Sequence, residues 1–191
     1  MVTQNTVISF EQLVRDFDSL FQRRVFRLET LDYYDAPNEH EPYARFLAGR
    51  PADWAWREPW KRIVREHREA GRKMERVHIV SEPLSDYARF ELLRVYPANV
   101  EAGEEVRILS RPIAEKLSLD LALSGDFWLF DHTLAARLIY DDSGAVSRVE
   151  LEHDPGELHH LMQARGWAMF YSTPLAQYVA ERHITEGKQA A

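Results

Sequence analysis

The sequence predicts an α+β protein of the layered α/β kind, in which helices cover a mixed sheet of about five or six strands. Helix-like and strand-like segments alternate along the chain, and a β-hairpin pattern lies near its end. The 191 residues, 45% of them hydrophobic, suffice to bury roughly 70% of the unfolded surface. We therefore expect a single domain over residues 1–191, with room for residues 1–50 to form an appended N-terminal layer.

The first predicted element is an amphipathic helix over Ser9–Phe21. Ser9 is its N-cap, Gln12 follows at the capping-box position, and apolar residues recur at helical spacing. Val25–Leu28 is short and apolar enough for a strand. A loop then leads to a short helix over Tyr43–Ala48, which ends at Gly49.

A longer helix is predicted over Glu58–Ala70, with proline in its first turn and glycine after its end. It carries an apolar stripe and a separate basic stripe. Alternation in Arg76–Ser81 predicts a strand, and Ser85 caps a helix that runs to Val95. The residues of the basic stripe are Lys61, Arg65, Arg68 and Arg72.

The second half of the chain is richer in strands. Glu105–Leu109 and the buried run Asp126–Asp131 are strand candidates, and Leu134–Tyr140 and Val146–Glu152 form a hairpin around an Asp-Asp-Ser-Gly turn. The last predicted helix begins after the N-cap residue Asp154 and reaches about Tyr171.

Composition excludes several classes of protein. The chain has no cysteine, which excludes disulfides, thiolate zinc sites, iron–sulfur clusters and a cysteine nucleophile. Its aromatic content is too high for a disordered chain. The longest uncharged stretch, Gly166–Ala180, is too short for a membrane-spanning helix, and no signal pattern opens the chain. We expect a cytoplasmic protein.

The net charge of −7 is unevenly distributed. Residues 45–76 contain ten basic and five acidic side chains, hence +5, so the remaining residues sum to −12. Trp54 and Trp56 lie in this basic segment and offer rings for stacking. An acidic protein with one basic segment is not expected to bind nucleic acid directly, but the segment suits an anionic or acidic partner.

Common catalytic signatures are missing from the sequence. It contains no glycine-rich nucleotide loop, no nucleophile elbow and no paired-histidine zinc motif. His153, Asp154, Glu157, His159 and His160 have helical spacing, but helix capping accounts for the two carboxylates and no fourth ligand is evident. We expect no metal and no cofactor.

A dense polar cluster follows the predicted strand that ends at Ser81. Because ligands of open sheets bind at carboxyl ends of strands, the cluster is a candidate site for a ligand or partner; capping and surface ion pairs are the simpler explanation. With nearby residues from other segments, the candidate set is Ser81, Glu82, Ser85, Asp86, Tyr87, Arg89, Arg107, Trp128 and Asp131.

Asp126 and Asp131 bracket the third strand. Their odd separation points them to opposite faces, so they are not expected to act as a paired acid and base. Each is explained by hydrogen bonds to neighbouring backbone at a strand end, and Arg107 or Arg111 is placed to neutralise one of them.

The stretches Arg76–Glu91, Asn99–Arg107 and Asp126–Asp131 resemble an uncharacterised actinobacterial family, a domain of unknown function common in streptomycetes. The resemblance extends from Arg27 to Pro174. It implies a gene often encoded near helix-turn-helix regulators, and it carries no activity over to individual residues.

A weaker resemblance is to phospholipase-D-like domains, in which a strand ending in aspartate, a hairpin and a closing helix recur. Catalysis there needs a His-x-Lys pair, with histidine as the nucleophile. None of the eight histidines has lysine two positions later. The resemblance therefore implies a non-catalytic copy.

The leading hypothesis is a non-enzymatic regulatory protein that contacts a helix-turn-helix regulator, or a copy of itself, through the polar cluster or the basic tryptophan-rich segment. The alternative is a small-molecule hydrolase or ligand sensor. That alternative requires Ser81, Glu82, Asp86, Tyr87, Arg107 and Asp131 to converge on one pocket.

Overall fold

A computed structural model describes residues 6–51, 53–117 and 125–186 of the chain. Within these ranges eight strands form one sheet in the order β1-β7-β6-β5-β2-β3-β4-β8. The strands are β1 (Thr6–Ile8), β2 (Arg24–Glu29), β3 (Lys73–Val80), β4 (Glu105–Ser110), β5 (Asp126–Phe130), β6 (Leu134–Tyr140), β7 (Val146–Glu152) and β8 (Thr173–Pro174).

The sheet is mixed. Strands β2, β3 and β4 run parallel, and the other pairings are antiparallel. This confirms the predicted α+β class, and the β6–β7 hairpin has its predicted bounds. The strand number was underestimated, because β1 and β8 have only three and two residues and are set by pairing with distant segments.

Helices connect and cover the strands. They are α1 (Phe10–Asp16), α2 (His40–Leu47), α3 (Glu58–Glu69), α4 (Asp86–Phe90), α5 (Tyr96–Ala102), α6 (Arg111–Lys116), α7 (Pro155–Tyr171) and α8 (Leu175–Glu181). Short 3-10 turns occupy Phe17–Ser19, Pro37–Glu39 and Ala55–Arg57. A π-helical turn, Glu91–Val95, joins α4 to α5.

The predicted N-caps are confirmed. Ser9 Oγ accepts from the Gln12 amide at 3.1 Å, Ser85 Oγ accepts from the Ala88 amide at 3.0 Å, and Asp154 accepts from two amides of α7. Four boundaries were wrong by three residues or more. The first α-helix ends at Asp16, α2 begins at His40, β3 begins at Lys73, and helical structure runs past Val95 to Ala102.

The sheet has two differently covered faces. On one, the apolar residues of β2 and β3 pack against α7 through Leu161, Ala164 and Ala168. On the other, α1 and α3 cover one apolar cluster, and the α4–α5 segment covers a second with α8. Residues 6–29 supply β1 and β2, two strands of this sheet. In the described ranges, no helix is both long and apolar enough to cross a bilayer.

Charged and polar side chains of β2 and β3 occupy the face of the sheet that lies away from α7. Arg27 and Glu29 on β2 alternate with Phe26 and Leu28, which face α7. The register pairs Arg27 with Arg76 and Glu29 with His78 of β3. The sheet therefore places four polar side chains side by side inside the protein.

Candidate functional site

The polar cluster that follows β3 is held by bonds within the protein. Ser81 donates to the Asp32 carboxylate through its amide, at 2.9 Å, and its hydroxyl, at 2.5 Å. The Ser81 hydroxyl also accepts from Arg111 Nε at 2.8 Å. Ser85 caps α4 and donates to the Asp32 carbonyl at 2.7 Å. Asp32 and Arg111 were not among the predicted residues of this cluster.

The remaining members tie the cluster to other parts of the chain. Tyr178 and Arg182 donate to Glu82 at 2.8 and 2.7 Å, and these bonds lower the pKa of Glu82. Tyr87 donates to Glu39 at 2.5 Å. Arg89 donates to the Thr185 carbonyl at 2.6 Å and contacts Asp86. The cluster therefore fastens β3 and α4 to the C-terminal segment.

Three other predicted site residues lie elsewhere. Arg107 donates to Ser172 at 3.0 and 2.6 Å, so it joins β4 to the segment after α7. Trp128 is buried in the apolar cluster under α1 and α3. Asp131 accepts from the amides of residues 22–24 at the start of β2. Because β2 and β3 are parallel, this is the opposite end of the strands from Ser81, which follows the end of β3. The pocket that the hydrolase alternative required is therefore not formed by these residues.

Asp126 lies on β5, but the strand ends at Phe130, and Asp131 follows it with a left-handed φ of 48°. Arg107 and Arg111, which were expected to neutralise one of the aspartates, instead bond Ser172 and Ser81. Asp126 is instead buried and accepts from Thr30, Tyr34 Oη at 2.7 Å and Tyr140 Oη at 2.9 Å. Burial raises the pKa of Asp126.

A buried polar centre, which the sequence did not identify, surrounds the hydroxyl of Tyr96. This oxygen lies 2.8 Å from Glu29 Oε2, 2.8 Å from His78 Nδ1 and 2.9 Å from Glu91 Oε1. All four residues are at most 4% exposed. We call Glu29, His78, Glu91 and Tyr96 the Tyr96 centre.

The π-helical turn builds one side of this centre. The Tyr96 amide bonds the Glu91 carbonyl, five residues back. In a regular α-helix, residues five apart point about 140° apart, since each residue turns the chain by about 100°. The wider π turn brings both side chains to the same side, and such turns are uncommon and frequent at functional sites.

Two arginines hold Glu29 in place. Arg76 Nη1 lies 2.8 and 2.9 Å from its two carboxylate oxygens, and Arg27 Nη2 lies 2.9 Å away. Arg76 also donates to Glu104 at 2.7 Å. Burial alone would raise the pKa of Glu29, but Arg27 and Arg76 outweigh it and lower that pKa to about 2. Glu29 is therefore ionised.

His78 and Glu91 complete the electrostatics. His78 Nε2 lies 2.8 Å from the Leu31 carbonyl, which only accepts, so Nε2 carries a hydrogen. Burial lowers the pKa of His78, leaving a neutral ring whose Nδ1 lone pair points at Tyr96. Burial raises the pKa of Glu91 well above its ordinary value. Ligand atoms of Glu29, His78 and Glu91 lie within 4.8 Å of one another.

The predicted basic stripe of α3 is largely engaged. Lys61 contacts Glu101 at 2.9 Å, Arg65 pairs with Glu58, and Arg72 donates to the Asp18 carbonyl at 3.1 Å. The Arg68 side chain covers Gly103, where a methyl group would lie 2.4 Å from it. The stripe therefore joins α3 to neighbouring elements.

The basic tryptophan-rich segment forms a groove beside α2. It is partly open to solvent and combines aromatic rings with three guanidinium groups. Trp54 is 40% exposed there. Among the described residues, the Arg50 side chain has no hydrogen bond or ion pair, and Arg94 Nε is buried without a partner. The lining residues are Pro42, Arg45, Phe46, Arg50, Asp53, Trp54, Trp56, Phe90 and Arg94.

A second exposed surface lies on α7. Trp167, Phe170 and Tyr171 are 50%, 79% and 47% exposed within two turns of this helix. Of the five candidate metal residues at its start, Asp154 caps the helix and Glu157 contacts Arg137 at 3.0 Å, whereas His153, His159 and His160 are exposed.

The model of a family described as a domain of unknown function, DUF6879, matches residues 9–180. No curated protein matches the chain.

Proposed function

Since the chain belongs to the DUF6879 family, whose function is unknown, we propose a function from the geometry: a non-enzymatic regulatory protein whose groove binds an acidic segment of a DNA-binding transcriptional regulator. The protein would act in the cytoplasm. This carries forward the hypothesis drawn from the sequence, with the groove as the contact surface.

The observation that carries the proposal is the chemistry of the groove. Guanidinium groups bind carboxylates in two-point contacts, and tryptophan rings supply apolar area beside them. Arg94 already shows the preference, because its Nη2 donates to the Glu186 carboxylate at 2.6 Å while its Nε stays unpartnered. Arg45 contacts the Glu41 carboxylate at 3.4 Å, so Arg50 is the lining arginine whose side chain forms no ion pair among the described residues.

The polar cluster after β3 is less suited to this role. Its carboxylates, hydroxyls and guanidinium groups are bonded to Asp32, Glu39, Tyr178 and Thr185. A ligand there would have to break those bonds, each worth about 0.5–1.5 kcal/mol, or more where a charge takes part. In the groove, the Arg50 guanidinium group offers donors that need no such exchange.

The test is affinity capture from the cells that make the protein. We expect the tagged chain to retain a DNA-binding regulator, and Arg50→Glu to lose it, because the new carboxylate repels an acidic segment. Arg62→Glu is the matched control, since Arg62 is exposed on α3 and its ion pair with Glu66 is 4.0 Å long. Equal capture by Arg50→Glu would remove the groove assignment. Capture of no regulator would remove the function.

Self-association is a second candidate contact, and the aromatic surface of α7 favours it. Gly166–Ala180 carries no charge, so two copies facing each other there would meet no like-charge repulsion in a protein of net charge −7. Clustered exposed aromatics are typical of interfaces. Sedimentation velocity should show a concentration-dependent dimer that Phe170→Glu abolishes and Val14→Glu, an exposed control on α1, preserves. A monomer at every concentration would contradict it.

A further inference from the structure

The hydrogen count of the Tyr96 centre is the starting point. A phenol has one hydrogen to donate, yet three acceptor atoms lie 2.8–2.9 Å from the Tyr96 oxygen. Glu29 is ionised, and the His78 hydrogen lies on Nε2, away from Tyr96. Only one of the three contacts can be a bond donated by Tyr96, so the other two need a hydrogen or a positive charge from another source.

The charge count shows the same deficit. Three carboxyl groups, Glu29, Glu91 and Glu104, face the two guanidinium groups of Arg27 and Arg76. Glu91 Oε2 lies 3.4 Å from Nδ1 of the neutral His78 ring and is buried without a hydrogen bond among the described residues. A buried carboxyl group in this position needs either a proton or a positive charge beside it.

The four groups have the composition and spacing of a metal site. The Tyr96 oxygen lies 2.8, 2.8 and 2.9 Å from its three neighbours, and Glu91 Oε2 lies 3.4 Å from His78 Nδ1. Ligand atoms about 2.0–2.1 Å from a tetrahedral Zn²⁺ lie roughly 3.3 Å apart. Small side-chain shifts would give that geometry. One imidazole with oxygen ligands suits zinc and similar divalent transition metals.

The surroundings match those of known metal ligands. Ligating histidines usually donate their second N–H to a carbonyl or carboxylate, as His78 does to Leu31. Ligating carboxylates are themselves hydrogen-bonded, as Glu29 is to Arg27 and Arg76. The π turn places Glu91 and Tyr96 on the same side of the centre.

We propose that Glu29, His78, Glu91 and Tyr96 bind one divalent transition-metal ion, with Zn²⁺ as the first candidate, in a closed structural site. His78 and Tyr96 are fully buried, so the ion enters during folding and leaves only on unfolding. This site is independent of the groove and of the proposed partner.

The test uses the untagged full chain. The protein is unfolded in denaturant with a chelator, refolded with or without ZnCl₂, passed through a desalting column, and assayed for zinc by mass spectrometry and for thermal midpoint. We expect close to one equivalent of zinc and a higher midpoint after refolding with the metal. Refolding with CoCl₂ should give the visible absorption of a tetrahedral cobalt site.

Three variants assign the ion to this centre. Glu91→Gln and Tyr96→Phe each keep side-chain size and remove a ligand atom, and we expect each to weaken zinc binding about 10-fold or more. Tyr34→Phe is the matched control, because Tyr34 is a buried tyrosine that bonds Asp126 outside the centre. It should retain the full equivalent.

Two results would overturn the proposal. If the refolded chain holds no zinc and its midpoint is unchanged, the missing hydrogens are protons on Glu91 and its neighbours. If zinc is lost from His159→Ala or His160→Ala but kept by Glu91→Gln, the ion sits at the exposed histidines of α7 instead.

Discussion

The Tyr96 centre and the groove beside α2 use the same kinds of side chain in opposite ways. Beside the centre, Arg76 is 3% exposed and bonds the carboxylates of Glu29 and Glu104. In the groove, Arg50 is exposed and has no partner among the described residues. A guanidinium group that is buried and fully bonded holds the fold together, whereas one that is exposed and unbonded is available to another molecule.

The two regions also differ in how much the stability of the fold depends on them. Desolvating a charge is unfavourable unless partners replace water, so the centre is stable only as a complete set. The groove needs no internal partner, because water solvates its charges. Substitutions should therefore divide the two regions sharply, with large effects on folding in one and effects on binding in the other.

Replacing Arg76 should have the largest effect on stability. Arg76→Met would leave the buried carboxylates of Glu29 and Glu104 facing each other without their shared cation, which costs about 3–5 kcal/mol. Denaturant unfolding should show the loss as a lower midpoint. Arg62→Met, on the exposed face of α3, should change the free energy of unfolding by less than about 0.5 kcal/mol. A similar small change for Arg76→Met would contradict the network.

The two aspartates at the ends of β5 offer a finer comparison. Asp126→Asn disturbs a buried acceptor of bonds from Thr30, Tyr34 and Tyr140, so we expect a loss of about 1–3 kcal/mol. Because burial raises the pKa of Asp126, its carboxyl group binds a proton more tightly in the folded state than in the unfolded state. The stabilisation is thus fully present below about pH 3.9 and is lost as pH rises through the folded pKa.

The pH profile gives the measurement. The difference in unfolding free energy between the wild type and Asp126→Asn should be largest in acid and should shrink as pH rises. An unchanged difference from pH 3 to pH 8 would show that Asp126 does not change its protonation between the folded and unfolded states.

Much of the fold could be predicted because its signals are local. Ser9, Ser85 and Asp154 are N-caps whose partners lie two or three residues away, and the β6–β7 hairpin is set by its own turn. The helix over residues 96–102 was missed because Pro97 and Asn99 resemble a loop, although Pro97 lies in its first turn.

The Tyr96 centre could not be predicted because its members meet only through the sheet. Glu29 and His78 are 49 residues apart in sequence and become neighbours through the β2–β3 register. One signal was present: Arg27, Glu29, Arg76 and His78 occupy alternate positions in or directly after two predicted strands, and charged residues that a sheet buries must find partners. Those partners could not be identified from the sequence.

Asp131 should behave in the opposite way to Asp126. Burial alone would raise the pKa of Asp131, but the amides of Gln22, Arg24 and Arg23 outweigh it and lower that pKa. Its stabilisation is therefore present above about pH 3.9 and is lost as pH falls through the folded pKa. Asp131→Asn should cost about 1–2 kcal/mol at neutral pH and progressively less in acid. Parallel pH profiles for the two variants would contradict this contrast.

The smallest effect on stability is expected in the groove. Arg50→Glu removes no side-chain hydrogen bond or ion pair among the described residues, so the free energy of unfolding should change by less than about 0.5 kcal/mol. Arg94→Met tests the same surface from its buried side, where the cost should be larger because the bond to Glu186 is lost. If Arg50→Glu unfolds the protein as readily as Arg76→Met does, Arg50 is part of the fold. A stable Arg50→Glu protein that no longer retains a regulator would instead establish the groove as a binding surface.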